Sequence, residues 1–129
     1  MSELPLVLVI EDEYLLRRDV EEALSNAGFA TEGFASRDKA LASFVESDKN
    51  YRALVADVNL GGGLDGWEVA RFIREKAADF PVIYITAYSA SEWTSHGVPN
   101  SILISKPFAP AQLVTALSTL LNKGSAPTE

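Results

Sequence analysis

Apolar residues along this chain gather in five short runs: Leu6-Val7-Leu8-Val9-Ile10, Ala30 to Phe34, Ala53-Leu54-Val55-Ala56, Val82-Ile83-Tyr84-Ile85 and Ile102-Leu103-Ile104. Stretches of helical period separate them, and strands alternating with helices predict a parallel sheet. The first, third and fourth runs are continuous rather than alternating, the pattern of strands covered on both faces. The second is weaker and belongs at an edge. Leu16, Val20, Ala23, Leu24 and Ala27 recur at helical spacing, and Gly28 stands where a left-handed C-cap is usual. Ser36 can cap a second helix whose inner face would be Ala40, Leu41, Phe44 and Val45. A third starts at Asp65-Gly66-Trp67-Glu68, which has capping-box spacing, and turns Val69, Ala70, Ile73 and Ala77 inward. Ser89-Ala90-Ser91-Glu92 repeats that form, but Gly97 and Pro99 follow closely and keep a fourth helix short. Pro110 suits the first turn of a last helix, with Leu113, Ala116, Leu117, Leu120 and Leu121 as its apolar stripe.

The 129 residues leave room for one domain, expected over 1–123 with a frayed tail over 124–129. The absence of Cys removes disulfide frameworks, thiolate zinc sites and cysteine nucleophiles, and is compatible with a reducing compartment. Met1-Ser2-Glu3-Leu4-Pro5 has no basic region, and the run ending at Ile10 is far below the ~20 residues of a membrane span. A cytoplasmic protein without membrane association is the expectation. The net charge of -7 repels a phosphate backbone, so direct nucleic-acid binding is not expected.

Polar residues interrupt this pattern at particular places. Glu11 and Asp12 follow the first strand, Asp57 the third and Thr86 the fourth, and Lys106 comes just after the fifth. In an open parallel sheet these C-terminal ends share one edge, and with strand order 2-1-3-4-5 a ligand crevice opens between the first and third strands. Three carboxylates there repel one another unless a cation neutralises them. Mg²⁺ suits such an oxygen-rich site; with no Cys and His96 as the only His, softer metals have little support. A carboxylate can also accept a phosphoryl group. That transfer needs positioning and charge neutralisation, for which Lys106 offers an ammonium and Thr86 a hydroxyl. Taken singly, these residues have ordinary roles: a strand-end Asp caps a turn, a Thr shapes one, and a Lys before Pro is a solvated charge. Their convergence on one edge favours the functional reading.

The same residues make the sequence resemble the receiver domains of two-component response regulators over nearly its whole length. The acidic pair resembles Glu11-Asp12, the phosphoacceptor Asp57 in Leu54-Val55-Ala56-Asp57, the hydroxyl residue Thr86 in Ile85-Thr86-Ala87, and the lysine Lys106 in Ser105-Lys106-Pro107-Phe108. The resemblance implies an α/β, flavodoxin-like three-layer sandwich with a five-stranded parallel sheet of order 2-1-3-4-5 and five helices. It implies Mg²⁺ bound by Asp12, Asp57, the Asn59 carbonyl and, through water, Glu11. Asp57 would accept the phosphoryl group from a phosphohistidine on a sensor histidine kinase or histidine phosphotransfer protein. The domain would assist its own phosphorylation and dephosphorylation without being an enzyme otherwise, and would signal to an unknown output protein as a monomer or a phosphorylation-dependent homodimer. The Lys106-Pro107 bond resembles one that is cis in the family.

Some features depart from the family pattern. Leu60-Gly61-Gly62-Gly63-Leu64-Asp65-Gly66 lacks the usual Pro and is one residue longer, so this loop is expected to be unusually mobile. Leu103 occupies the position of the family's aromatic switch residue, which leaves coupling to the backbone or another side chain, with Tyr88 and Trp93 as candidates. Trp93 is expected to pack, and His96 to lie in a surface loop. The Gly-rich loop and the Lys-Pro-Phe-Ala segment are similar to single-domain receivers of alphaproteobacteria. Two rival readings are a phosphorylation-independent adaptor on this scaffold and a Mg²⁺-dependent aspartyl-phosphate phosphatase. Against the latter, Asn59 stands where such enzymes generally carry a second acid.

Overall fold

The computed structural model describes residues 4–46, 48–58, 66–87, 93 and 96–125. Five strands, β1 (Leu6–Ile10), β2 (Ala30–Phe34), β3 (Tyr51–Asp57), β4 (Val82–Thr86) and β5 (Ile102–Ser105), form one sheet in the order β2-β1-β3-β4-β5. Every neighbouring pair is parallel. Four helices are present among the described residues: α1 (Tyr14–Asn26), α2 (Arg37–Glu46), α3 (Gly66–Lys76) and α4 (Pro110–Ser125). Of the short fourth helix expected between Ser89 and Gly97, only Trp93 and His96 lie within the described residues, so that element as a whole falls outside them. The last helix runs to Ser125, two residues past the expected domain boundary at 123.

Strand alternation sorts the core into two layers. Leu8, Ile10, Leu54, Ala56, Val82 and Tyr84 face α2 and α3, where they meet Ala40, Trp67, Ala70 and Ile73. Val7, Val9, Ala53, Val55, Ile83, Ile85 and Ile104 face the other way, toward Val20 and Leu24 of α1 and Leu113 and Leu117 of α4. Helices therefore cover both faces, which explains why β1, β3 and β4 read as continuous apolar runs. β2 lies at the edge with all five residues half-buried, as its weaker pattern predicts.

Local chemistry fixes the helix ends. At the end of α1, Gly28 has φ 98°. The Phe29 N–H donates to the Leu24 carbonyl (3.0 Å) and the Gly28 N–H to that of Ser25 (3.1 Å), the paired bonds of a Schellman cap. The Ser36 hydroxyl accepts the Lys39 N–H at 3.3 Å and caps α2 as expected. At the start of α4, the Gln112 side chain reaches back to accept the Ala109 N–H at 3.2 Å.

Two expectations are corrected. Val45 is 55% exposed, because the inward arc of α2 closes on Ala40, Leu41 and Phe44. β3 starts at Tyr51, earlier than the apolar run indicates: the pairing with β1 jumps from Leu6↔Tyr51 to Val7↔Ala53. Exposed Arg52 is the extra residue of this bulge, and it allows Tyr51 to stay buried.

Candidate functional site

Strand register assembles the site. Ile10 lies opposite Ala56, which brings Glu11 level with Asp57. Asp57 in turn lies opposite Ile85, one residue before Thr86, and Thr86 opposite Ser105, one residue before Lys106. The Lys106 N–H donates to the Thr86 carbonyl at 2.7 Å, extending the ladder past the end of β5. The Lys106-Pro107 peptide bond is cis.

At this edge the Lys106 Nζ donates to Asp57 Oδ2 at 2.9 Å and lies 3.5 Å from Glu11 Oε1. Glu11, Asp57 and Thr86 are almost completely buried, whereas Asp12 is exposed. One carboxylate oxygen from each of Glu11, Asp12 and Asp57 lies within 4.8 Å of the others. The structure thus brings together Glu11, Asp12, Asp57 and Lys106, with Thr86 at the adjoining strand end. Asn59, the Gly61–Gly63 loop and Tyr88 lie outside the described residues.

The electrostatics of this cluster are unbalanced. Burial, and then the neighbouring Asp57 charge, push the Glu11 carboxyl up to about 8, although the Glu13 N–H that it accepts at 3.1 Å acts in the opposite direction. Burial alone lowers the affinity of the Lys106 ammonium for its proton, but its hydrogen bond and attraction to Asp57, together with Glu11, outweigh that and raise its pKa. Glu11 Oε1 is buried and makes no hydrogen bond. A buried carboxylate oxygen without a hydrogen-bond partner, facing two further carboxylates, is the donor set that a hard divalent cation satisfies. Glu11, Asp12 and Asp57 therefore fit Mg²⁺.

Several supporting contacts were not visible in the sequence. Arg17 Nη1 donates to the Glu11 carbonyl at 2.9 Å, tying α1 to the end of β1. The Gly66 N–H donates to the Val58 carbonyl at 2.9 Å, and a Cβ on Gly66 would stand 2.5 Å from the Asp57 carbonyl oxygen. Only glycine allows α3 to rest this closely against the backbone of the candidate phosphoacceptor. The position could have been suspected from Asp65-Gly66 at the start of the third helix, but its partner could not. His96 is exposed, as expected of a surface residue, but its backbone is helical rather than that of a loop. Trp93 is 37% exposed and donates its indole N–H to the Ser101 hydroxyl at 2.9 Å, so it packs in part.

The family model described as response regulator receiver domain matches residues 7–118. The chain belongs to that family. It is similar to the phyllosphere-induced regulator PhyR of Methylorubrum extorquens, 30% identical over 115 residues, covering 89% of this chain and 43% of the relative. The transcriptional regulatory protein ResD of Bacillus subtilis is 33% identical over 121 residues, covering 92% of this chain and 49% of ResD. The receiver chain thus spans about half the length of these relatives or less. A crystal structure of a response regulator receiver protein from Sinorhizobium medicae superposes with a TM-score of 0.88 at 41% identity, covering 93% of this chain and 96% of the other. A CheY-like receiver domain from Methanospirillum hungatei, at 18% identity and a TM-score of 0.84, shares the fold. The expected resemblance and the parallel order 2-1-3-4-5 are both borne out. No described helix is long and apolar enough to cross a membrane.

Proposed function

We propose that this receiver domain is a phosphorylation-activated switch in which Asp57 accepts a phosphoryl group from a phosphohistidine on a sensor histidine kinase or histidine phosphotransfer protein. The observation that carries this reading is the 2.9 Å contact between Lys106 Nζ and Asp57 Oδ2 inside a crevice that Glu11 and Asp12 also enter. An Asp57 carboxylate oxygen attacks phosphorus as the bond to the donor imidazole breaks, leaving an acyl phosphate on Asp57 and a neutral histidine on the donor once its ring is protonated. Lys106 passes from the Asp57 carboxylate to the incoming phosphoryl oxygens, and the Thr86 hydroxyl donates to another of them. Glu11, Asp12, Asp57 and the Asn59 carbonyl would hold Mg²⁺, which when bound neutralises phosphoryl charge.

A groove beside Lys106, lined among others by Leu16, Asp19, Glu22, Ala23, Pro107 and Phe108, gives a protein donor a surface next to the acceptor. The output is carried by contacts with a protein or with a second copy of the domain, in the cytoplasm, and no turnover of external substrates is involved. A phosphorylation-independent adaptor would have no use for a buried acid cluster joined to a lysine.

Incubation with acetyl phosphate and Mg²⁺ followed by intact-mass measurement tests the reading. One hydroxylamine-labile phosphoryl group is expected on the parent and none on Asp57→Asn. Unchanged labelling of Asp57→Asn refutes the assignment.

A further inference from the structure

β4 carries a buried polar side chain that the phosphoryl chemistry does not use. Tyr84 lies two residues before Thr86, on the same face of the strand, and is completely buried. Its hydroxyl accepts the Val98 N–H at 3.0 Å. The Trp67 ring packs on the Tyr84 ring with centroids 4.5 Å apart. Trp67 immediately follows Gly66, the residue lodged against the Asp57 carbonyl. A continuous line of contacts therefore runs from the phosphoacceptor backbone through Gly66, Trp67 and Tyr84 to Val98.

Beyond Val98, the chain forms an arch tied to α3 and to itself. Arg71 Nη1 donates to the His96 carbonyl at 2.9 Å and Arg74 Nη1 to the Pro99 carbonyl at 2.7 Å. The Ser101 hydroxyl donates to the Val98 carbonyl at 2.7 Å and accepts the Trp93 indole N–H. Half-exposed Trp93 is thus linked to Tyr84 through two residues of the arch. Leu103, the cross-strand neighbour of Tyr84, is apolar and cannot make such a tie.

We propose that Tyr84, backed by Trp67, is the positioning residue that couples phosphorylation at Asp57 to the arrangement of residues 96–101 and of Trp93 beside them. The inference rests on the phosphoacceptor reading above. A buried phenol cannot exchange its backbone partner for water, so the arch follows the ring or releases it as a unit. The close-packed Trp67-Tyr84 contact carries displacement of the α3 N-terminus to the arch. The indole of Trp93 and the surface around it then present a different face to a partner in the two states.

Amide hydrogen exchange at residues 100–103, measured with and without acetyl phosphate and Mg²⁺, tests this coupling. In the parent, phosphorylation is expected to change exchange there by roughly fivefold or more, the lower end of ordinary coupling energies. Tyr84→Phe is expected to take up the same amount of phosphoryl group while that ratio falls below about twofold. A tyrosine with a merely structural role would speed exchange equally in both states and leave the ratio at its parental value, which overturns the proposal. Trp67→Phe is expected to lower the ratio too, and a parental ratio in that variant overturns the role of Trp67. Absence of labelling in the parent overturns the phosphoacceptor reading and this coupling with it, whereas full labelling with an unchanged ratio in Tyr84→Phe sinks the coupling alone.

Discussion

Replacing Glu11 by Gln should stabilise the metal-free domain, and the gain should grow with pH. The Glu11 carboxyl sits at about 8 in the folded protein against 4.5 for the ordinary group. Between those values the folded chain holds a proton that the unfolded chain has released, so stability falls as pH rises through this window. Lys106 is charged throughout it, since its own pKa is raised from 10.5. The full shift, taken from pH 5 to pH 8, corresponds to about 3.5 kcal/mol; relaxation of the crevice and entry of water reduce this, and about 2 kcal/mol is the expected difference. For a domain of this size that is roughly 6–10 °C in Tm. Gln keeps the shape and the acceptor for the Glu13 N–H but carries no charge. Urea unfolding of parent and Glu11→Gln in EDTA at pH 5, 6.5 and 8, followed by tryptophan fluorescence, measures the difference directly and cancels the other titrating groups. The two proteins should coincide near pH 5 and separate by pH 8. A constant gap, or a parent more stable than the variant at pH 8, would falsify the claim that a buried, repelled carboxylate sits at position 11.

Mg²⁺ should reverse that order: at pH 8 and 100 times its Kd it is expected to add about 2.7 kcal/mol to the parent and much less to Glu11→Gln, as read from the same urea curves. Gly66→Ala should destabilise by about 1–3 kcal/mol and slow labelling by acetyl phosphate, because the new Cβ meets the backbone at Asp57 and Val58 rather than a flexible side chain; a variant with parental stability and labelling rate would show that α3 does not press on the acceptor. Lys106→Ala should slow labelling at least tenfold, about 1.4 kcal/mol of barrier, in a time course followed by intact mass. An unchanged rate there would remove the lysine from the transfer step.

The strands and the acidic edge were readable from the sequence because both depend on local pattern. An apolar run buried on both faces ends abruptly when a carboxylate follows it, as at Ile10-Glu11 and Ala56-Asp57, and parallel topology sends such ends to one side. The start of β3 was obscured by Arg52, since a bulge puts a charge where the strand period would place an apolar residue. Val45 was misplaced for the opposite reason: it fits the helical period, but the inward arc of α2 is already filled by Ala40, Leu41 and Phe44. Least visible were contacts between distant segments. Tyr84 reads as one more member of a strand, and Gly66 as a helix start. The bond of Tyr84 to Val98 and the approach of Gly66 to Asp57 come only from packing α3 and residues 96–101 on the sheet.

The stability penalty at Glu11 and the responsiveness of the site have one physical source. Away from that edge the two core layers of this sheet are built from apolar side chains, and there local pattern and global fold largely agree. At the C-terminal edge they conflict: Glu11 and Asp57 are buried side by side, and one Glu11 oxygen lacks a hydrogen bond. A neutral residue at position 11 would fold better without metal and would bind a cation more weakly. The free energy that the cluster withholds from folding is available on ligation, because whatever neutralises the three carboxylates stabilises the folded state by its full differential affinity. On the proposed phosphoacceptor reading, a phosphoryl group adds negative charge to the same crevice, and Lys106, already in contact with both Asp57 and Glu11, is the group whose attachment changes. The switch therefore needs the repulsion that makes its resting state less stable.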